Sequence, residues 1–342
     1  MNRRHFTTLL TAIVASHVAA AAATLPIEPI QPRLDGAIDW INSPPLSMAQ
    51  LRGKVVLVDF WTYSCINCLR TLPWLRAWAQ KYADQGLVVI GVHAPEFGFE
   101  KKHGNVRRAV QDLKLTYPIA IDSDFAVWRA FGNQAWPTFY VVDAQGRVRH
   151  HQVGEGGYDQ TERVIQQLLM DAGATAAATE GAARIEPSGV GVAPDLANVR
   201  SPETYLGHAH GQRRGVLPDR LKHYDATEPR LNDWALAGDW IVRAEHAELA
   251  GDSGAVVMRF HARDLHLVLG PAADGRPLPF RITVDGQPPG ADAGVDVDAD
   301  GRGEITAERL YQLVRQRGPV RERRFEIRFG APGAKAYAFT FG

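Results

Sequence analysis

Cysteine is nearly missing from this sequence: its 342 residues contain two, Cys65 and Cys68. A disulfide-stapled scaffold and a zinc site made of cysteine alone are therefore excluded, and the two sulfurs must act together. Charge of one sign is missing too. Thirty-eight Lys and Arg balance 38 Asp and Glu, so no whole-chain field gathers nucleic acid or anionic lipid, and no nucleic-acid partner is expected. Beyond the amino-terminal segment no apolar run approaches the roughly 20 residues that span a bilayer. No repeat of roughly 20–50 residues points to a propeller or solenoid. What is present is ordinary globular composition, 45% hydrophobic, 9% aromatic and 22% charged, which excludes wholesale disorder. At roughly 150 residues per domain, the length predicts two domains.

The first residues read as an address. Met1 to Ala23 has a charged start (Arg3, Arg4), an apolar middle from Phe6 to Val18 and an alanine run with several small-x-small cleavage choices, the layout of an export signal. A membrane anchor is the alternative, but the stretch is short and interrupted by Thr7, Thr8, Thr11, Ser16 and His17. Asn2-Arg3-Arg4-His5-Phe6-Thr7 resembles the bacterial twin-arginine signal. The expectation is an exported protein in an oxidising, periplasmic or otherwise extracytoplasmic compartment.

Residues 24–172 alternate strand and helix patterns. Val55 to Phe60 and Leu87 to Val92 suit buried strands, and Leu69, Leu72, Leu75 and Trp78 share one helix face. Val106 to Leu113 is helical in spacing, Thr138 to Val142 and Val148 flank a hairpin turn, and Tyr158 to Met170 closes with a helix. This is one α/β domain. Residues 173–202, dominated by Ala, Gly, Thr and Pro, read as a linker. In residues 203–342 the period becomes two: Val256, Met258 and Phe260; Leu265, Leu267 and Leu269; Phe280, Ile282 and Val284; Phe325, Ile327 and Phe329; Tyr337, Phe339 and Phe341. That pattern predicts an all-β, jelly-roll-like antiparallel sandwich.

Cys65-Ile66-Asn67-Cys68 falls directly after a strand and at the start of a helix, where unpaired backbone N–H groups and the helix dipole favour a thiolate at the first sulfur. Cys68, one turn on and facing inward, is placed to attack the mixed disulfide that Cys65 forms with a substrate, releasing reduced substrate; the reverse sequence oxidises a dithiol. Other readings compete. A structural disulfide gains little from so short a loop. Two cysteines supply half of a tetrahedral metal shell, and the 12 histidines show no compact partner motif near them. Thr62 stands three before Cys65 as in a peroxidatic centre, but Val58 is not the proline such a centre carries.

The run Val58-Asp59-Phe60-Trp61-Thr62-Tyr63-Ser64-Cys65-Ile66-Asn67-Cys68, with Pro73 following, closely resembles the thioredoxin active site. Together with GVHAPEF, WPTFYVVD, SPETYLGHA and RLYQLVRQ, the string WTYSCINCLRTLP resembles the soluble exported part of DipZ-type thiol-disulfide proteins. The resemblance implies a thioredoxin-like redox domain followed by a sandwich similar to carbohydrate-binding modules. It implies a thiol-disulfide oxidoreductase whose redox centre is the dithiol of Cys65 and Cys68, with no organic cofactor and with disulfide-containing exported proteins as partners. Pro137 would be held cis beside the sulfurs, exposing backbone for a substrate strand, with Trp61, Trp136 and Thr138 around the groove. Asp59 matches the buried acid that takes the Cys68 proton during resolution, against the plainer reading of an acid satisfied by hydrogen bonds alone. Glu96 resembles the acid that some exported thioredoxin-like reductases keep near their cysteines, against the reading of a solvated loop glutamate. Pro73 matches the kink of the active-site helix. Ile66-Asn67 is neither Gly-Pro nor Pro-His, so only the resemblance favours reduction over oxidation. The family typically joins this part to a membrane domain that feeds electrons across the bilayer; no segment here suits one, and a separate membrane electron donor of the DsbD or CcdA type is expected.

The second domain carries further temptations. Asp296-Val297-Asp298-Ala299-Asp300-Gly301 copies the first half of an EF-hand loop, but Ala307 stands where a bidentate Glu is needed, so a solvated turn is simpler. Trp234, Trp240 and Tyr311 would stack on a sugar ring if glycan binding came with the module, or pack as core if it did not. Arg315, Arg317, Arg321, Arg323 and Arg324, interleaved with Glu322 and Glu326, read as a charged face, and His208 with His210 is too sparse for a metal site. The competing functions are a copper or other thiophilic metal carrier and a glycan-binding protein with a vestigial redox domain.

Overall fold

A computed structural model describes residues 25–175, 183, 185–210, 215–225 and 227–342; the expected export signal lies outside them. The first domain is a six-stranded sheet of β1 (Asp39–Ile41), β2 (Val55–Trp61), β3 (Leu87–His93), β4 (Ile119–Ile121), β5 (Thr138–Val142) and β6 (Val148–Val153) in the order β1-β4-β3-β2-β5-β6. Helices α1 (Ile66–Lys81), α2 (His103–Asp112), α3 (Ala126–Ala130) and α4 (Tyr158–Asp171) accompany it. Strand β2 pairs parallel with β3 and antiparallel with β5, and all seven of its residues are buried. Burial on both faces explains its near-continuous apolar run. Alternation then sorts its side chains. Val56, Val58 and Phe60 join Ile90, Phe131 and Tyr140 on one face, whereas Val55, Leu57 and Trp61 join Leu72, Leu75 and Trp78 of α1 and Ile165 of α4 on the other. Asp59 has the parity of Leu57 and Trp61, so it faces the side that carries Cys68.

The second domain contains β7 (Thr204–Tyr205), β8 (Leu221–Tyr224), β9 (Trp234–Val242), β10 (Ala247–His261), β11 (Asp264–Gly270), β12 (Leu278–Val284), β13 (Arg302–Ile305), β14 (Arg309–Arg315), β15 (Glu322–Phe329) and β16 (Lys335–Phe341). Their antiparallel ladders run β13-β12-β15-β10-β16-β11-β14, with β9 also on β10, β8 on β9 and β7 on β16. Strands β12 and β14 lie five steps apart, about 24 Å in a flat sheet at ~4.8 Å per strand. Yet the rings of Phe280 on β12 and Tyr311 on β14 meet edge to face with centroids 6.3 Å apart. The hydrogen-bonded sheet therefore curls over and closes on its own apolar face, which is how the alternating triplets bury their inward members.

The segment expected to be a linker is packed where it is described. Gly191 lies against Pro73 of α1, so close that a β-carbon would stand 3.0 Å from Pro73 Cγ, and Arg263 donates to Ala193 O at 2.8 Å. The domains also meet directly. Phe97 and Phe99, on the loop after β3, pack edge to face against Tyr337 of β16 with centroids 5.3 and 4.9 Å apart. Beside them Gly98 N donates to Glu245 at 2.9 Å. No helix among the described residues is long and apolar enough to cross a membrane.

Candidate active site

After β2 the chain turns through Thr62-Tyr63-Ser64 and enters α1 at Cys65. Cys65 is the N-cap, with extended backbone (φ −85°, ψ 116°), and its sulfur accepts the Cys68 N–H at 3.3 Å. A sulfur here occupies the place of the usual hydroxyl or carboxylate cap and meets one of the donors that a helix start leaves unpaired. The two cysteines are both free, Cys65 half-buried and Cys68 fully buried. Burial pushes the Cys68 thiol well up, and neighbouring Cys65 and Asp59 push the same way. Asp59 is fully buried, neither carboxyl oxygen has a hydrogen-bond partner, and desolvation holds its carboxyl well above the usual range. The plainer reading of Asp59, an acid satisfied by hydrogen bonds, is therefore not what the structure presents.

Two loops converge on the sulfurs. Glu96 is half-buried, and burial together with the charge of Glu203 pushes its carboxyl up to about 8. It accepts a hydrogen bond from the hydroxyl of Tyr205 on β7. Glu100, which the sequence reading missed, is fully buried. One oxygen accepts Ser64 N at 3.3 Å and Ser64 Oγ at 2.6 Å; the other accepts Glu96 N at 2.6 Å and Phe97 N at 3.0 Å. One carboxyl group thus ties the residue before Cys65 to the loop that carries Glu96. Its sequence signal was the Glu three residues after the cap of a short helical turn. His93 at the end of β3 lies against Thr62 Oγ1 at 3.3 Å and stacks on Tyr63, with burial pushing its imidazole down to about 3.

Across from these loops the Trp136–Pro137 peptide is cis. Trp136 is half-buried and its indole N–H donates to Ala94 O at 3.1 Å. Two residues expected around the groove sit elsewhere. Trp61 is fully buried, edge-on to His93 in the core between β2 and α1, as its inward parity on the strand requires. Thr138 is buried too, its hydroxyl donating to Ala135 O at 2.9 Å, so its side chain is occupied in the turn.

Cys65, Glu96 and Trp136 open into a cleft of about 330 Å³ whose opposite wall is Leu196, Ser201, Glu203 and Tyr205 with Thr340 and Phe341 of β16. Arg70, two residues past Cys68, lines the same cleft and pairs with Glu155 at 3.1 Å. The cleft therefore lies between the domains, and the expected linker supplies part of its wall.

The other candidates resolve as structure. Trp234, Trp240 and Tyr311 are buried in the core of the second domain, which removes them as a sugar-stacking platform. In the EF-hand-like run Asp296 accepts Arg309 and Gln312 N, and Asp298 caps the turn through Arg302 N. Arg315 pairs with buried Asp264, Arg323 with Asp285 and Asp292, and Arg324 with Glu228 and Glu326. Among the described residues no group of three or more His, Cys, Asp or Glu side chains is placed to hold a metal ion.

Comparison with known proteins agrees with this geometry. The AhpC/TSA family model matches residues 39–151, and the model described as thioredoxin like C-terminal domain matches residues 201–342. Protein DipZ of Mycobacterium bovis is 39% identical over 267 residues, 74% of this chain and 37% of that protein, so the chain spans little more than a third of its length. Thiol-disulfide oxidoreductase YkuV of Bacillus subtilis is 32% identical over 140 residues, 41% of this chain and 94% of YkuV. A match of 267 residues is longer than either domain, whereas YkuV is covered almost end to end by a stretch the size of one. The chain belongs to the thioredoxin-like thiol-disulfide oxidoreductases, and among them to the DipZ type.

Proposed function

We propose that this chain is an exported reductase of protein disulfides, with Cys65 as nucleophile and Cys68 as resolving thiol. The observation that carries the reading is the difference in access: Cys65 opens into the cleft while Cys68 is fully buried one turn behind it. The Cys65 thiolate attacks one sulfur of a substrate disulfide, forming a mixed disulfide and expelling the other sulfur as thiolate. Cys68 then loses its proton to Asp59 and attacks Cys65, closing the Cys65–Cys68 disulfide and releasing the second substrate thiol. Two electrons pass from the dithiol to the substrate. Trp136 and Pro137 frame the groove for the substrate chain, Thr138 contributes through its backbone, and Trp61 supports the loop from the core.

In this reading residues 1–23 direct export, residues 24–172 form the redox domain, 173–202 the connection and 203–342 the second domain. Clients are exported proteins containing disulfides, and electrons come from a separate membrane donor. Metal carriage is less well supported, because no third His, Cys, Asp or Glu among the described residues joins the sulfurs. A trapping experiment tests the proposal. Cys68→Ser protein should accumulate mixed disulfides on Cys65 and Cys65→Ser protein should not; equal trapping by both would reverse or remove the assigned roles.

A further inference from the structure

At the mouth of the cleft two carboxyl groups and one phenol meet, and they come from both domains. Glu96 stands on the loop after β3, whereas Glu203 and Tyr205 belong to the second domain's first strand and its approach. The Tyr205 hydroxyl is bonded to Glu96 Oε1 and lies 3.2 Å from Glu203 Oε2. A phenol has one proton to donate. If both carboxyl groups were ionised, one would face the lone pairs of the phenol oxygen. Among the described residues no Lys or Arg forms an ion pair with either glutamate, and Arg70, the cation of the cleft, is turned to Glu155. Glu100, the other acid near Glu96, is occupied by Ser64 and two backbone N–H groups. The array closes when one carboxyl group keeps a proton and donates it back to the phenol.

We propose that Tyr205 and Glu203 are positioning residues of the redox site, holding with Glu96 one shared carboxyl proton beside Cys65 for delivery to the thiolate that leaves the substrate. This rests on the reductase reading. When the Cys65 thiolate attacks a substrate disulfide, the S–S bond breaks, the Cys65–sulfur bond forms, and the expelled thiolate takes the proton from Glu96, which is left as carboxylate and is reprotonated from water. The second domain is then a working part of the redox centre. Burial and the Glu203 charge raise the Glu96 carboxyl to about 8, while the Tyr205 hydrogen bond lowers it, so the two partners pull in opposite directions.

That opposition supplies the test on the full chain. The protonated carboxyl band of Glu96, identified by its loss in Glu96→Gln protein, is titrated by infrared difference spectroscopy, and single-turnover disulfide reduction is followed over the same pH range. The wild-type midpoint is expected near 8. Tyr205→Phe, which keeps the ring packed on Phe97, should move the midpoint up; Glu203→Gln, at an exposed residue that does not threaten folding, should move it down. Midpoints that stay in place or shift in the same direction would overturn the array while leaving the reductase reading intact. A wild-type chain that reduces no disulfide at any pH would overturn that reading instead.

Discussion

The Glu100 carboxylate accepts the Ser64 hydroxyl at 2.6 Å, so a buried acid 36 residues downstream fixes the residue next to the nucleophile. Glu100→Ala would leave Ser64 N, Ser64 Oγ, Glu96 N and Phe97 N without their acceptor. At about 1–3 kcal/mol for each buried donor left unpaired, the loss is at least about 3 kcal/mol. A lower denaturation midpoint together with slower alkylation or exchange at Cys65 is expected, because both loops around the sulfur slacken together. Chemical denaturation and single-turnover kinetics on the same protein check it; unchanged values in both would remove Glu100 from the site.

Asp59→Asn should act in opposite directions on stability and on rate. The folded carboxyl is raised well above its unfolded value of 3.8 by burial alone. Above pH 3.8 the unfolded chain therefore ionises while the folded one resists, and stability falls as pH rises. Removing the acid should make the protein more stable at neutral pH, by an amount that grows with pH until the folded group would itself ionise. Resolution by Cys68 should slow on the order of 10²-fold through loss of the base, with the initial attack by Cys65 little changed. Stopped-flow rates that leave resolution untouched would exclude Asp59 from proton transfer.

The features that were legible in the sequence are those carried by local pattern. Val55 to Phe60, the helix face from Leu69 to Trp78 and the five alternating triplets all lie where the period put them, because each repeats its signal over several residues. Strands β1 and β4 have three residues each, too few for a period to show. Trp61 and Trp136 were indistinguishable by residue type, although the parity of Trp61 with Val55 and Leu57 already pointed it inward. Small residues near Gly191 and Pro194 suit a flexible linker and a tightly packed segment equally, so composition alone left the cleft wall unseen. Glu203 and Tyr205 were out of reach for another reason. Tyr205 lies 109 residues from Glu96, and nothing local marks a phenol that will meet an acid in the other domain.

Two histidines set the acid limb of stability. His93 and His266 are fully buried, and burial pushes each imidazole from 6.5 down to about 3. Between those values the unfolded chain binds protons that the folded chain refuses, so stability falls as pH drops from 6.5 toward 3. Neither ring nitrogen of His266 has a hydrogen-bond partner, so His266→Leu should fill the space, remove one proton's worth of this slope and carry the acid-unfolding midpoint to lower pH. An acid midpoint that does not move, read by circular dichroism from pH 7 to 3, would show that His266 is charged or hydrated in the folded state.

Tyr337 is the place to ask whether the two domains fold as one unit. It is buried, and its ring meets Phe97, Phe99 and His246 at 5.3, 4.9 and 4.8 Å, so one side chain of β16 clamps the loop that carries Glu96 and Glu100. Truncation of a buried aromatic costs about 3–5 kcal/mol, and here the loss falls on contacts between domains rather than within either core. Tyr337→Ala should therefore divide the calorimetric transition into two, one for each hydrophobic core, and leave the redox sheet intact. The loosened loop should expose Cys65, so its alkylation should quicken while buried Cys68 stays protected. A single transition at the wild-type temperature with unchanged alkylation would mean that Gly98–Glu245, Asn105–Glu308 and the packed segment before β7 hold the domains together without Tyr337.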